Sequence, residues 1–202
     1  MTWIKTIEYS IASSKLKRVY DRVKGPGGEI DNILKAHSLR PHTLIGHMTL
    51  YKNVLHNLNN TLPKWYLEAV GVYVSFLNKC SYCVEHHSEG LRRLLDDSGK
   101  NAELVIDALQ NDMPQKAFDG KFFLGLKYAK KLTLGPAGLV EADIRKLREA
   151  GFGDGEILEI NQVVAYFNYA NRTVLGLGVN TEGDVLGLSP NDSDDPGNWS
   201  HR

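Results

Sequence analysis

Residues 63–77 read PKWYLEAVGVYVSFL and are apolar on almost every side. Their Val, Tyr and Phe content would also suit a buried strand. The run is longer than a typical strand, however, and the chain shows no second strand that could pair with it. We therefore predict a central buried helix that begins after Pro63, with the rest of the chain arranged around it.

Apolar residues at helical spacing continue on both sides of this segment, and turns with Gly or Pro, such as GPGG at 25–28, separate the runs. The predicted helices cover residues 12–24, 29–37, 41–58, 63–77, 81–97, 102–110, 115–131, 140–150 and 154–176. The segment LEAVGVYVSFLN at 67–78 aligns with LEINQVVAYFNY at 158–169, which suggests two related helical halves. We predict an all-α, multi-helical fold with a single domain over residues 1–179 and a polar tail or oligomer arm over 180–202.

The composition narrows the range of functions. The chain has 202 residues, of which 42% are hydrophobic, and its 24 Lys and Arg balance 24 Asp and Glu. A net charge of zero offers no basic surface for nucleic acid, and the segment ILEINQVVAYF at 157–167 is too apolar to lie in a DNA groove. No run approaches the roughly 20 apolar residues that span a membrane. We expect no nucleic-acid partner and no membrane association.

Two cysteines in a chain of this length do not form a disulfide scaffold. Because the N-terminal sequence MTWIKTIEYSIASSKLKRV has no continuous apolar stretch of the signal-peptide type, we expect a cytoplasmic protein. In the reducing cytosol, a close pair of cysteines is typical of catalysis or metal binding rather than of structural cross-linking. The chemistry of the chain is therefore expected around Cys80 and Cys83.

The segment NKCSYCVEHH, residues 78–87, combines these cysteines with histidines at the start of a predicted helix. A helix turns by about 100° per residue, so Cys80, Cys83 and His87 fall within an arc of about 60°. Tyr82 and His86 point away from this arc. A thiol near a helix N-terminus and beside an imidazolium loses its proton more easily. The two-residue spacer also allows the cysteines to form a disulfide.

Glu68 lies in the apolar helix before this segment, where a carboxylate is costly without a partner. His87 follows Cys83 by one turn and is close enough to take its proton. The natural group to orient His87 is Glu68. We predict that Cys83, Cys80, His87 and Glu68 form a catalytic site.

The same four residues could instead bind a metal ion. Structural zinc usually takes its ligands as two separated pairs, so three ligands on one helix plus a glutamate would be atypical. We therefore expect no metal and no other cofactor. The cysteines could also be two small buried hydrophobic residues without a chemical role. A thioredoxin-type site is disfavoured because it requires a βαβ context.

The spacing of these residues, a glutamate, eleven residues and then Cys-x-x-Cys-x-x-x-His, resembles the active-site pattern of the AhpD-like alkylhydroperoxidases. These proteins belong to the carboxymuconolactone decarboxylase superfamily. The blocks SYCVEHHSEGLRRL at 81–94 and VVAYFNYANR…LGLGV at 163–179 are similar to those of its uncharacterised peroxidase-related enzymes. The resemblance extends over residues 30–179. It implies an all-α fold, a homo-oligomer (trimer or hexamer) and the reduction of organic hydroperoxides without metal or haem.

The resemblance also implies a role for each residue of the site. Cys83 would be the peroxidatic cysteine, which forms a sulfenic acid, and Cys80 the resolving cysteine, which closes the disulfide. Glu68 and His87 would form the proton relay. The implied reductant is a dithiol of the lipoyl or thioredoxin type.

The sequence departs from the AhpD pattern at Tyr82, which stands between the cysteines where the well-studied AhpD proteins carry a histidine. Tyrosine cannot serve as a base near neutral pH, so we expect a shorter relay, a weaker activity or a different substrate. Two other functions remain open: a decarboxylase-like lyase that needs no cysteine pair, and a redox-sensing protein that binds a partner. The neighbouring aromatic and apolar residues are expected in the core or in a subunit interface rather than in a pocket: Trp65, Tyr66, Val72, Phe76 and Tyr82.

Overall fold

The computed structural model describes residues 2–195 and 197–201, and these residues form nine α-helices and no β-strand. This architecture confirms the all-α fold class predicted from the sequence. The helices are α1 (Ser14–Val23), α2 (Asn32–Ala36), α3 (Pro41–Leu55), α4 (Lys64–Leu77), α5 (Ser81–Asp97), α6 (Ala102–Gln110), α7 (Gly120–Leu134), α8 (Glu141–Glu149) and α9 (Asp154–Leu177).

The central helix is α4, as the apolar run at 63–77 predicts. Ten consecutive residues, Tyr66 to Ser75, are buried, and α4 packs against α5, α7 and α9. Gly71 permits the close approach of α9, because a Cβ atom on Gly71 would lie 2.1 Å from the ring of Phe167. The two segments that align in sequence thus lie on helices that pack together. Four of the five residues expected in the core are buried in the main core or packed against it: Trp65, Tyr66, Val72 and Phe76. The fifth, Tyr82, is buried in a smaller hydrophobic cluster with the two cysteines.

The predicted helix boundaries agree with the structure to within three residues, except between residues 113 and 135. The sequence predicts one helix over 115–131, whereas the structure has a 3-10 turn at Pro114–Lys116 followed by α7 from Gly120. Phe118 lies between the two, and its ring turns inward to stack on Trp65, with 6.3 Å between the ring centroids. The prediction was wrong here because burial of this ring outweighs continuation of the helix.

The junction between α4 and α5 positions the cysteine pair. α4 ends in a Schellman turn, in which the amides of Lys79 and Cys80 donate to the carbonyls of Phe76 and Ser75 at 3.0 and 2.9 Å. Lys79 takes the left-handed position of this turn, with φ +56°. Because Lys79 alone separates the C-cap of α4 from the N-cap of α5, Cys80 becomes the N-cap residue of α5.

The residues after α9 fold back across the helices. We name residues 180–195 and 197–201 the C-terminal strap. Cationic side chains on three helices hold the strap by donating to its backbone carbonyls: Arg22 on α1 to Gly197, Lys52 on α3 to Asn191, and Arg93 on α5 to Gly187. The Arg22 guanidinium also lies over the ring of Trp199, 3.6 Å from its centroid.

Among the described residues, none of the helices combines the length and the apolar character needed to cross a membrane.

Candidate active site

The sulfur atoms of Cys80 and Cys83 lie 3.1 Å apart at the N-terminus of α5. Cys80 is the N-cap residue and Cys83 is in the first turn, so both sulfurs lie at the positive end of the helix dipole. Both are free thiols, and both are buried, with Cys80 0% and Cys83 3% exposed. The pair is a preformed dithiol, held at a separation from which a disulfide can form with little movement of the chain.

The two thiols differ in acidity because they share one hydrogen bond. The side-chain hydrogen bond with Cys83 lowers the pKa of Cys80, burial opposes this, and a backbone hydrogen bond with Cys83 adds to the lowering. The same hydrogen bond raises the pKa of Cys83, and burial raises it further. Cys80 is therefore the more acidic thiol of the pair and Cys83 the less acidic one.

The predicted contact between Glu68 and His87 is present: Nδ1 of His87 lies 2.7 Å from Oε1 of Glu68. Burial opposes ionisation of Glu68, but the charge and the hydrogen bond of His87 bring the pKa of this carboxyl below its ordinary value. Gly90 leaves room for the carboxylate, since a Cβ atom there would lie 3.2 Å from Oε1. Glu68 can therefore orient His87 and stabilise its protonated form.

Asn171 is a residue of the site that the sequence analysis did not single out. It is fully buried on α9, where its amide nitrogen donates to the Ser75 hydroxyl at 3.1 Å and its oxygen accepts from Asn78 at 2.9 Å. A hydrogen bond between the Asn171 side chain and Cys83 partly offsets the rise in the pKa of that thiol. The sequence does show an asparagine within an apolar helix, which indicates a buried polar residue. Its contact with Cys83 could not be predicted, because this contact depends on how α9 packs.

Cys83, Glu68 and His87 line one small cavity of about 50 Å³, which we name the inner cavity. This volume holds only a few water molecules. Tyr51 and Tyr166 form part of the wall, with their rings stacked at 5.4 Å between centroids. Because Cys83 faces this cavity, it is the sulfur that a small molecule inside would meet.

Tyr82 and His86 also line the inner cavity, although helical spacing predicts that they point away from the cysteines. The Tyr82 hydroxyl donates to Asp184 of the strap at 2.8 Å, and Nε2 of His86 lies 3.3 Å from the same carboxylate oxygen. The prediction was wrong because it considered α5 alone, whereas the strap and the start of α2 extend the cavity around the helix. Tyr82 anchors the strap, which accounts for a tyrosine between the cysteines without any role as a base.

The strap closes the inner cavity. Asp184 is almost fully buried, and it also accepts the backbone amide of Asn32 at 3.0 and 3.1 Å. Beyond this anchor, strap residues form part of the cavity wall: Gly187, Leu188, Ser189 and His201.

The site consists of two pairs of reactive groups, a thiol with a thiol and an imidazole with a carboxylate. Within residues 2–195 and 197–201, no group of three His, Cys, Asp or Glu side chains is arranged to hold a metal ion. The arrangement is suited to thiol redox chemistry, in which one sulfur is attacked by the other after oxidation.

No protein-family model and no curated protein sequence matches the chain. Solved structures do match it. An uncharacterised peroxidase-related protein from a Silicibacter species is 27% identical, with a TM-score of 0.76, over 90% of this chain and 93% of that one. The AhpD core of an uncharacterised peroxidase-related protein from Ralstonia eutropha is 23% identical, with a TM-score of 0.76, over 89% of this chain and 91% of that one.

A third similar structure is a Cys-to-Ala variant of the debrominase Bmp8 in complex with 2,3,4-tribromopyrrole. It is 17% identical, with a TM-score of 0.67, over 91% of this chain and 93% of that one, so the likeness is one of fold. The chain therefore shares its fold, over about nine-tenths of its length, with two uncharacterised peroxidase-related proteins, one of which is described as an AhpD core.

Proposed function

We propose that this chain is a thiol-dependent peroxidase that reduces organic hydroperoxides with the Cys80–Cys83 pair. The observation that carries the proposal is the dithiol at 3.1 Å, whose Cys83 lines the same cavity as the Glu68–His87 pair. A thiolate beside a base and a second thiol is the arrangement needed to cleave an O–O bond and then to form a disulfide. The peroxidase-related proteins of similar fold support the same class of reaction.

In the first step, His87 takes the proton of Cys83, and Glu68 stabilises the resulting imidazolium. The Cys83 thiolate attacks the terminal oxygen of the hydroperoxide, so that an S–O bond forms and the O–O bond breaks. The alkoxide takes the proton from His87 and leaves as an alcohol. Cys83 is then a sulfenic acid.

In the second step, the Cys80 thiolate attacks the Cys83 sulfur. The S–S bond forms, the S–O bond breaks, and the departing hydroxide takes a proton and leaves as water. When Cys80 attacks as a thiolate that carried its charge before the reaction, the pair takes up one proton from outside for each disulfide formed. A dithiol of the lipoyl or thioredoxin type would reopen the disulfide by exchange and return the pair to its resting state.

The experiment mixes the reduced protein anaerobically with one equivalent of cumene hydroperoxide and follows free thiols and protein mass. We expect both thiols to disappear and the mass to fall by two hydrogens. Cys83→Ser should not react, and Cys80→Ser should stop at a sulfenic acid on Cys83. Wild-type thiols that persist after mixing would overturn the proposal.

A second electrophile makes the test more specific. 2,3,4-Tribromopyrrole is the ligand in the structure of the debrominase, which has a similar fold. We expect the hydroperoxide to oxidise the dithiol and the bromopyrrole to release no bromide. Bromide release without any reaction with the hydroperoxide would contradict a peroxidase and favour a reductive dehalogenase.

A further inference from the structure

A second cavity of about 420 Å³ adjoins the inner cavity, and we name it the outer cavity. Glu68, Gly90 and Ser189 line both cavities. The wall of the outer cavity also includes Arg93 and Asp97, which are exposed on α5, so this cavity reaches solvent. Glu68 is therefore the titratable side chain that the two cavities share. The strap covers the inner cavity, and the outer cavity reaches solvent.

Two buried polar atoms on residues of the outer cavity have no hydrogen-bond partner among the described residues: Oε2 of Glu68 and Nε2 of His56. The side chain of Glu68 is 6% exposed and that of His56 is 1% exposed. Leaving such atoms unpaired is costly. A water molecule in the outer cavity that bridges Glu68 and His56 would pair both of them.

Asp192 of the strap fixes the orientation of His56. Its Oδ1 lies 3.3 Å from Nδ1 of His56 and 2.6 Å from Nζ of Lys64. Burial opposes ionisation of Asp192, but these two hydrogen bonds hold its pKa well below the ordinary value, so the group stays charged. With Nδ1–H directed at Asp192, Nε2 of His56 carries the lone pair that can accept a proton.

The surroundings of His56 keep the imidazole neutral at rest. Burial lowers the pKa of His56, and the hydrogen bond to Asp192 opposes this only in part. A neutral imidazole accepts a proton at its free ring nitrogen, and the imidazolium that results releases it again readily. The ionisable groups that face it come from α3, α4 and the strap: Tyr51, Lys64, Glu68, Asp192 and His201.

We propose that His56 is a proton-transfer residue, which connects Glu68 to solvent through a water molecule in the outer cavity. The proposal rests on the proposed peroxidase function, in which attack by the Cys80 thiolate releases a hydroxide that needs a proton at a pair buried beneath the strap. A proton from solvent binds Nε2 of His56, passes through the water to Glu68 and His87, and reaches the departing hydroxide.

The experiment uses His56→Gln in the full chain, mixed rapidly with cumene hydroperoxide under anaerobic conditions. Quenched mass spectrometry follows the sulfenic acid and the disulfide, and a pH-indicator dye in weak buffer follows proton uptake. The first step uses a proton already held by the pair, so we expect sulfenic acid to form within about twofold of the wild-type rate. Disulfide closure and proton uptake should be slower by about tenfold or more, as for loss of a proton-transfer group.

Two further variants separate proton transfer from a structural effect. His42→Gln, at an exposed histidine of α3, is the matched control and should close the disulfide at the wild-type rate. In His56→Ala, added imidazole should restore the rate of closure. If His56→Gln does not fold, Asp192→Asn removes the charge that orients His56 and should slow closure without slowing formation of the sulfenic acid.

The outcomes of this experiment are distinct. Equal closure rates in His56→Gln and wild type overturn the role of His56 and leave the peroxidase proposal intact. A slowed variant that imidazole does not restore also overturns it. A wild-type protein whose two thiols persist after mixing overturns both proposals.

Discussion

Asp31 is a half-buried residue whose carboxyl group lies in the wall of the inner cavity and has no part in the proposed proton relay. Burial raises its pKa to about 6, against the opposing charge of His86 and with a further rise from Asp184. Because this pKa lies above the ordinary value of 3.8, folding favours the protonated form. The protein therefore loses stability as the pH rises from about 4 to about 6, where Asp31 must ionise in the folded state.

Asp31→Asn removes the cost of this ionisation. We expect the variant to raise the free energy of unfolding by about 1–3 kcal/mol at about pH 8 and to change it little at about pH 4. Urea unfolding at both pH values checks this. Asp96→Asn, at an exposed position on α5, is the matched control and should have little effect at either pH. An equal gain from Asp31→Asn at both pH values would contradict the raised pKa.

At the level of single residues, the sequence predicts the side-chain contacts that form within one helix or between that helix and the next one in the chain. Helical spacing places His87 one turn after Cys83, and the cost of a lone carboxylate predicts that Glu68 needs a partner, which is His87. Asn171 and His56 could not be found in this way. Asn171 meets Cys83 only because α9 packs on α4, and His56 is oriented by Asp192, which lies 136 residues later in the chain.

The junction between α4 and α5 carries a local strain that the helices on either side impose. Lys79 has φ +56°, a left-handed conformation that costs a non-glycine residue roughly 1–2 kcal/mol. Cys80 must follow directly as the N-cap of α5, so the turn has no spare residue that could relieve this strain. Glycine at position 79 would adopt the same turn without a Cβ clash.

Lys79→Gly should therefore stabilise the protein by about 1 kcal/mol, which is a rise of about 2–4 °C in the melting temperature for a chain of this size. Thermal unfolding of the reduced protein measures the change. Lys79→Ala is the control, because it removes the same side chain but keeps the Cβ atom and the strain. If the alanine variant gained as much as the glycine variant, strain at Lys79 would not be the cause.

The sequence predicts which segments form helices better than it predicts which face of a helix points toward the cavity. The order and the type of the elements follow from apolar spacing, and the single shifted boundary, near Phe118, comes from a ring that packs on α4. The face that α5 turns toward the cavity could not be predicted from α5 alone. In a projection of one helix, Tyr82 and His86 point away from the cysteines, yet in the folded chain Asp184 of the strap contacts both.

For the whole molecule, the strap connects the first and last parts of the chain across the cysteine pair. Its anchors lie on α1, α2, α3, α4 and α5, and most of them pair a cationic or polar side chain with a carbonyl or a carboxylate of the strap. The inner cavity that it closes has about 50 Å³, which is too little for an organic hydroperoxide such as cumene hydroperoxide. A substrate of that size therefore requires the strap to move, and the strap can control access to Cys83.

Asp184→Ala tests this control of access, because it removes the buried carboxylate that Tyr82, His86 and Asn32 share. Loss of a charged hydrogen-bonding group costs about 1.5–3 kcal/mol, so the open form should become about tenfold to a hundredfold more populated. We expect iodoacetamide to alkylate Cys83 faster by a similar factor, as measured by peptide mass spectrometry. Asp194→Ala makes the same charge change at an exposed position of the strap and should leave the rate unchanged. Equal alkylation rates in the two variants would show that the strap does not limit access, and the substrate would then have to reach Cys83 through the outer cavity.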